Sequence, residues 1–253
     1  MKRLLASLYV LPAAVLMLGS AALVSIPIWP TAVIPRYRRE AWSIHGARLF
    51  AWLSLRTVMW ARTTVVGADH LPPRGTHPDG SRHPGYLVIC NHRSWADVPL
   101  LMLHTWAQGI SKKEIQYIPF FGWNGYLSGG IFFDRKNPRE RAGVIDEAVK
   151  LMVGGASLML FPEGTRTRDG KLREKVHLKL VREAWERGHD VVPCCVWGTE
   201  GAVPVRGIGV LPGAAMGLEI ARPLDRGAFP DGDAYAAACW EVVREMAARR
   251  GVA

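Results

Sequence analysis

Short apolar runs, three of them ending in a polar cluster, recur along this chain and leave few folds open to it. Tyr86 to Cys90, Ile131 to Phe133, Ser157 to Phe161 and Val191 to Val196 are such runs, too short for helices and flanked by glycine, proline or polar residues. They read as buried strands. Further strands are expected at Thr63 to Val66, at Ser111 to Gln116 and around Met216 to Ile220. Helical patterns separate them. An apolar helix should follow the polar knot Asn91 to Asp97 and run to about Trp106. In the next one Asn137 can cap, Pro138 can take the first position, Ala142, Ile145, Val149 and Met152 form one face, and Gly154 follows the end. Leu172 to Arg187 reads as a mixed-charge helix, and a last helix runs from about Asp233 to Arg249, where Gly251 stops it. Leu71 to Gly85 is a surface loop rich in Pro, Gly, Asp and His, and Pro119 to Leu127 is a short apolar, aromatic segment. Strands alternating with helices define an α/β fold with a mainly parallel central sheet flanked by helices. In such sheets chemistry collects at the carboxyl ends of the strands.

The N-terminus is of another kind. No charged residue occurs from Leu4 through Pro35, while Lys2 and Arg3 precede that run and Arg36, Arg38 and Arg39 follow it. A cleaved signal peptide is one reading, but the apolar run outlasts the usual core of about 7–15 residues. A helix from Leu4 to about Ile26 would be roughly 33 Å long, enough to cross a hydrocarbon layer of about 30 Å. Pro27, Pro30 and Pro35 should end it. Both flanks are basic, so the positive-inside rule draws both ends to the cytoplasm. A single span cannot satisfy that, whereas a monotopic helix or a hairpin broken near Gly19 can. The expectation is an N-terminal hydrophobic membrane-anchoring helix or hairpin. A second helical stretch from Glu40 to Trp60 could lie on the bilayer surface or pack on the globular part. Residues 1–60 then form the anchor and amphipathic helix, and 61–253 the main domain.

Charge limits the partners. Lys and Arg number 32 against 22 Asp and Glu, a formal net charge of +10. A polyanion is expected nearby: nucleic acid, anionic lipid or a phosphorylated substrate. No nucleic-acid motif of the usual kinds is visible. The four cysteines lack C-x-x-C spacing, which argues against a zinc site or a disulfide framework and for small buried hydrophobes.

Three polar clusters follow strands. In Asn91-His92-Arg93-Ser94-Trp95-Ala96-Asp97, His92 and Asp97 would sit about 140° apart on one continuous helix, but can meet if His92 lies in the turn and Asp97 in the first helical turn. A carboxylate on one imidazole nitrogen fixes the tautomer and makes the other a general base able to deprotonate a hydroxyl. Ser94 to Asp97 also fits a capping box, a role compatible with the first. A serine nucleophile at Ser94 is a weaker reading, because no G-x-S-x-G elbow is present. One histidine and one aspartate are too few ligands for a metal. The second cluster is Phe133-Asp134-Arg135 and the third Phe161-Pro162-Glu163-Gly164-Thr165-Arg166. Taken singly these are ordinary surface ion pairs. At strand ends, each arginine offers a fork for a phosphate, and Gly164 permits close backbone approach.

At these residues the chain resembles the glycerolphosphate and lysophosphatidate acyltransferase family. His92 with Asp97 is similar to its H-x-x-x-x-D block, Gly130 to Arg135 to its second block, and Phe161 to Arg166 to its F-P-E-G-T-R block about seventy residues further on. Val192-Pro193 resembles the fourth, and Lys113-Glu114 with Pro119 to Trp123 the lysine-bearing segment between the first two. The resemblance covers about Thr63 to Leu224. It implies an enzyme that needs no cofactor and uses acyl-CoA or acyl-carrier protein as co-substrate. His92, oriented by Asp97, would deprotonate the acceptor hydroxyl, and backbone N–H groups near the Glu163-Gly164 turn would hold the oxyanion. Arg166, Arg135 and Lys113 would hold the acceptor's phosphate, with Glu163 ordering that basic cluster, Gly164 and Thr165 completing the turn, and Pro193 shaping the acyl side. The implied acceptor is lysophosphatidate at its sn-2 hydroxyl, giving phosphatidate. Glycerol 3-phosphate, another lysophospholipid and a lyso-aminolipid are alternatives, and a noncatalytic basic membrane-binding protein is a distant one. The first block, His92-Arg93-Ser94-Trp95-Ala96-Asp97, is bulkier and more basic than the commoner small-residue versions and could tune the acceptor. The expected location is a membrane, with the active domain facing the cytoplasm, and the expected partners are the bilayer, a lysophospholipid and the acyl donor, with no nucleic acid.

Overall fold

A computed structural model of the chain describes residues 2–34, 36–118, 121–134, 136–205 and 209–253. Pro35, Pro119, Phe120 and Arg135, which carry expectations above, lie outside the described residues.

Helix α1 spans Lys2–Ile28 without a break at Gly19, passes Pro12, and gives way to a 3-10 turn at Trp29–Val33. Its stretch Leu8–Ile28 has a mean hydropathy of 2.0, long and apolar enough to cross a membrane. Helix α2, Arg36–Leu53, folds back along it: Gly46 faces Val24 and Ile28, where an added Cβ would collide with the Ile28 side chain, and the Tyr9 hydroxyl donates to Val58 O at 2.9 Å. So the hairpin exists, but its turn lies after Ile28 and its second arm is α2. One narrow face of α1 (Ala13, Ala21, Val24, Ile28) is buried, while Leu8, Leu11, Val15, Leu23 and Ile26 stay exposed. Of the two places weighed for α2, packing is the one found: Ile44, Ala47, Phe50 and Ala51 are buried.

The remaining elements alternate as read: β1 Arg62–Val66, β2 Leu87–Cys90, α3 Asp97–Thr105, β3 Ala107–Lys112, α4 Phe121–Leu127, β4 Ile131–Phe133, α5 Pro138–Val153, β5 Ser157–Leu160, α6 Lys179–Glu186, β6 Val191–Trp197, β7 Ala215–Ile220 and α7 Gly232–Arg249. The strands form one seven-stranded sheet in the order β1-β7-β6-β2-β5-β3-β4. All neighbours are parallel except β6 and β7. Side chains alternate between two cores, as the pleat requires. Leu87, Ile89, Val191 and Cys195 face α5, α6 and α7, while Val88, Cys90, Val192 and Cys194 face α2 and α3. The adjacent Cys194 and Cys195 thus point into opposite cores, where burial pushes both thiols up.

Three local expectations need correction. The third strand starts four residues earlier than Ser111 and ends at Lys112, with Lys113–Tyr117 a 3-10 turn. The weakly β-prone Ala107-Gln108-Gly109 is recruited by pairing with Ser157 to Met159 of β5, a tertiary effect. The helix placed at Leu172 to Arg187 forms only from Lys179, because Arg173 N and His177 N are engaged by Glu163 Oε2 (3.2 Å) and Pro162 O (2.8 Å). The cap of α5 is as read, Asn137 Oδ1 accepting from Arg139 N at 3.0 Å, but the buried face is Val144, Ala148, Val149, Leu151 and Met152, with Ala142 exposed.

Candidate active site

The parallel strands β2, β5, β3 and β4 lie side by side, so their carboxyl ends form one edge. Along it stand His92 after β2, Glu163 to Arg166 after β5, Lys113 after β3 and Asp134 after β4. Three strand spacings of about 4.8 Å put the ends of β2 and β4 roughly 14 Å apart. The ladder between β5 and β3 stops at Met159 and Gly109, and from Ile110 onward β3 pairs with β4 alone. The two strands part where the clusters begin, leaving room between the His92 side of the edge and the Lys113 side.

His92 is aimed from its backbone outward. The residue before it, Asn91, is buried and behaves as one more strand residue: its side-chain oxygen accepts from Val196 N at 2.8 Å and its amide donates to Val196 O at 3.0 Å. The chain therefore leaves β2 in a fixed direction. Both backbone groups of His92 are then held by the segment after β5. His92 N donates to Glu163 Oε1 at 2.7 Å, and His92 O accepts from Thr167 N at 2.8 Å. The imidazole stacks on Phe161, with ring centroids 3.9 Å apart and planes 16° apart. Nδ1 lies 2.8 Å from Asp97 Oδ2. Opposite an ionised carboxylate, Nδ1 carries the proton and Nε2 keeps the lone pair.

Asp97 is fully buried and opens α3. Its Oδ2 also accepts from Arg93 N at 2.6 Å and Ser94 N at 2.8 Å, while Ser94 Oγ accepts from Ala96 N at 3.1 Å. Because α3 starts at Asp97 with Ala96 as its N-cap and no side-chain cap bond, the expected capping box does not form. The carboxylate instead holds the turn before the helix while orienting the histidine. Ser94 Oγ donates to Val203 O at 2.8 Å and is buried, so the serine-nucleophile reading lacks an accessible hydroxyl.

The F-P-E-G-T-R segment is a turn closed by Gly164 N donating to Phe161 O at 2.9 Å, with Pro162 and Glu163 at its corners and Gly164 at φ +70°. That bond consumes the N–H expected to face an oxyanion. Thr165 is exposed, and the Arg166 guanidinium lies 5.2 Å from the Trp95 ring. Glu163, 3% exposed, holds backbone and not guanidinium: its second oxygen takes Arg173 N. Burial pushes its carboxyl above the usual range, opposed by those two backbone N–H groups. Lys113 Nζ reaches Glu140 Oε1 at 2.8 Å, which raises the lysine's pKa. Pro193 sits within β6 opposite Ile89, three positions back from the register of the edge, and its carbonyl accepts from Ala221 N at 2.9 Å.

Arg93 turns away from the edge. Its guanidinium grips Glu200 through two bonds (2.9 and 3.1 Å) and donates to Gly170 O and Val252 O at 2.8 and 3.2 Å. It ties the knot to three other segments and presents nothing to an acceptor. Asn91, Phe161, Thr167 and Arg173 are the positioning residues that the sequence reading passed over. Asn91 and Phe161 stood inside motifs already noted, whereas nothing local marked Thr167 or Arg173. Among the described residues no group of three His, Cys, Asp or Glu is placed to hold a metal ion.

An imidazole–carboxylate pair stands at the end of a parallel strand, with Arg166 and Lys113 along the same edge, and such a pair can take the proton of a hydroxyl. The Acyltransferase family matches residues 62–197, more than half of the chain, and the chain belongs to that family. It is 29% identical over 215 residues to a chloroplastic 1-acyl-sn-glycerol-3-phosphate acyltransferase of Brassica napus, covering 83% of this chain and 59% of that protein. It is 32% identical over 178 residues to the lyso-ornithine lipid O-acyltransferase of Pseudomonas aeruginosa, covering 63% of this chain and 66% of that one. The matched stretch spans 59%, 50% and 57% of three chloroplast and algal 1-acyl-sn-glycerol-3-phosphate acyltransferases, so the chain corresponds to just over half of their length. The fold is that of the crystal structure of PlsC, the 1-acyl-sn-glycerophosphate acyltransferase of Thermotoga maritima, at a TM-score of 0.79 and 22% identity over 100% of this chain and 99% of that one.

Proposed function

We propose that this protein transfers a fatty acyl group from a thioester, acyl-CoA or acyl-carrier protein, to the sn-2 hydroxyl of lysophosphatidate. The observation that carries the reading is the 2.8 Å contact of His92 Nδ1 with Asp97, on a histidine whose backbone is clamped by the F-P-E-G-T-R segment. His92 Nε2 takes the proton of the acceptor hydroxyl, and the oxygen attacks the thioester carbonyl. The tetrahedral oxyanion needs preorganised donors. Thr165 N and Arg166 N, which make no hydrogen bond among the described residues, are positioned in the right segment for that role. The carbon–sulfur bond then breaks, and the thiolate recovers the proton from His92.

Arg166 and Lys113 flank the parting of β5 and β3 and supply charge for the acceptor phosphate; Arg135 belongs with them by its place in the chain. Pro193 is assigned to the acyl side. The similarity to a lyso-ornithine lipid acyltransferase favours a second reading, a lyso-aminolipid acceptor at the same site. The exposed apolar face of α1 supports membrane attachment, with residues 1–60 as the anchoring part and the catalytic edge in the cytoplasm. The test is a panel of acceptors with one acyl-CoA, following thiol release. Lysophosphatidate should be used best by the wild type, and His92→Ala should lose activity by about 10²–10⁴-fold while still folding. Normal transfer by folded His92→Ala would overturn the mechanism, and preference for a phosphate-free acceptor would overturn the assignment of Arg166 and Lys113.

A further inference from the structure

A cavity of about 460 Å³ lies at the opposite edge of the sheet from His92, between α2, the 71–85 loop and the starts of β2, β3 and β5. Tyr86 lines it, six residues before His92 along β2, so the two sites are roughly 20 Å apart through the sheet. The cavity wall carries Arg74, Arg82, His45, His83 and Trp106. Three observations make it more than a basic surface. First, Arg74 makes no hydrogen bond or ion pair among the described residues, and its Nε is buried without a partner. The 71–85 loop has one carboxylate, Asp79, and that is spent on Ser81 N and Oγ at 2.8 and 2.6 Å. Secondly, a second guanidinium stands behind it. Arg48 lies 3.3 Å and Arg74 4.8 Å from the centre of the same indole, that of Trp106, and the two repel: burial, then Arg74, lowers the pKa of Arg48. Thirdly, Trp106 ends α3 as its left-handed C-cap at φ +58°, which sets its indole in the cavity wall. The indole therefore stands against two like charges, neither of which pairs with an acid among the described residues, Arg48 Nε donating instead to Leu103 O at 2.9 Å.

We infer that this cavity is a second binding site for a phosphate-bearing anion, held by Arg74 and Arg82 against the Trp106 wall. The unpaired guanidinium of Arg74, with Arg82 on the same wall giving Nη1 to Gly154 O at 3.1 Å and keeping further donors, matches a phosphomonoester, either free or as the headgroup of a lipid. Ile44, Leu71 and Pro72 add an apolar wall that suits a ligand with a hydrocarbon part. The site lies apart from His92 and the F-P-E-G-T-R segment, none of whose residues line it.

The test uses the full chain in detergent. Thermal unfolding is followed with increasing inorganic phosphate against chloride of equal ionic strength, and flotation is measured with phosphatidylcholine vesicles with and without phosphatidate. Wild type is compared with Arg74→Gln and, on the exposed rim, Arg82→Gln. Both variants should fold, and at least one ligand should bind at least about tenfold more weakly to Arg74→Gln. Loss of the phosphate-induced shift identifies a soluble ligand. Loss of phosphatidate-dependent flotation alone identifies a lipid headgroup. If both variants respond to phosphate and to phosphatidate as the wild type does, the site does not exist. Should Arg74→Gln fail to fold, the same comparison with Arg82→Gln decides.

Discussion

Glu163→Gln separates two roles that the F-P-E-G-T-R motif leaves mixed. In the structure the carboxylate accepts one backbone N–H on each oxygen, His92 N at 2.7 Å and Arg173 N at 3.2 Å. A glutamine has the same shape but one acceptor. One N–H keeps a neutral bond and the other meets an amide N–H₂. Losing a charge-assisted bond costs about 1.5–3 kcal/mol, and a buried unsatisfied donor about 1–3 kcal/mol. Relief from burying a charge offsets part of this, so a net loss of about 2–3 kcal/mol is expected. Unfolding by denaturant in detergent would read it. The kinetic signature is more telling. If Glu163 positions His92, kcat falls and KM for the acceptor stays put; if it orders the phosphate-holding cations, KM rises instead. Stability and kcat both unchanged would refute the backbone clamp. The pH dependence carries a sign as well. Burial raises the folded-state pKa of Glu163, so the native state holds the proton more tightly than the unfolded chain. Its contribution to stability is full below the unfolded pKa and declines as pH rises through the folded value. Glu163→Gln should remove that component from the slope of stability against pH.

Asn91→Leu should cost about 2–4 kcal/mol, because it leaves both Val196 N and Val196 O unpaired in the core; an unchanged denaturation midpoint would contradict the strand-mimic role. Arg93→Met should lower stability by about 2 kcal/mol by stranding Glu200 and two carbonyls, and it should leave the order of preference among acceptors as it was. A changed order in the acceptor panel would restore the tuning role that the sequence suggested for the block containing Arg93.

Much of this was legible in the residues. β2 and β6 are read from apolar runs because every side chain of Leu87–Cys90 is buried on one face or the other. The His92–Asp97 pair is read from a spacing that only a turn followed by a helix start can close. What escaped depends on contacts between distant segments. The stretch after Leu172 has the charge and apolar pattern of a helix, yet Glu163 and Pro162 take its N–H groups first. Arg93 looks like a surface residue of a basic motif until Glu200 and Val252, more than a hundred positions away, close around it. Lys113 was read as a holder of the acceptor's phosphate, whereas Glu140 in α5, three elements further on, already pairs with it.

The single antiparallel step between β6 and β7 has a further consequence. Because β1 runs parallel to β7, it starts where β2 ends, and the chain entering β1 comes from the α1–α2 hairpin. Tyr9, near the start of α1, packs on Trp60 and bonds Val58 O at that same edge. With α1 seated in a leaflet as proposed, the anchor joins the sheet at the edge that carries the imidazole, three strand spacings or roughly 14 Å along it. The acceptor and the product can therefore keep their chains in the leaflet. Turnover then follows the mole fraction of acceptor in the surface and not its bulk molarity. Diluting the lysolipid with inert detergent at constant total concentration should slow the reaction as effectively as removing substrate.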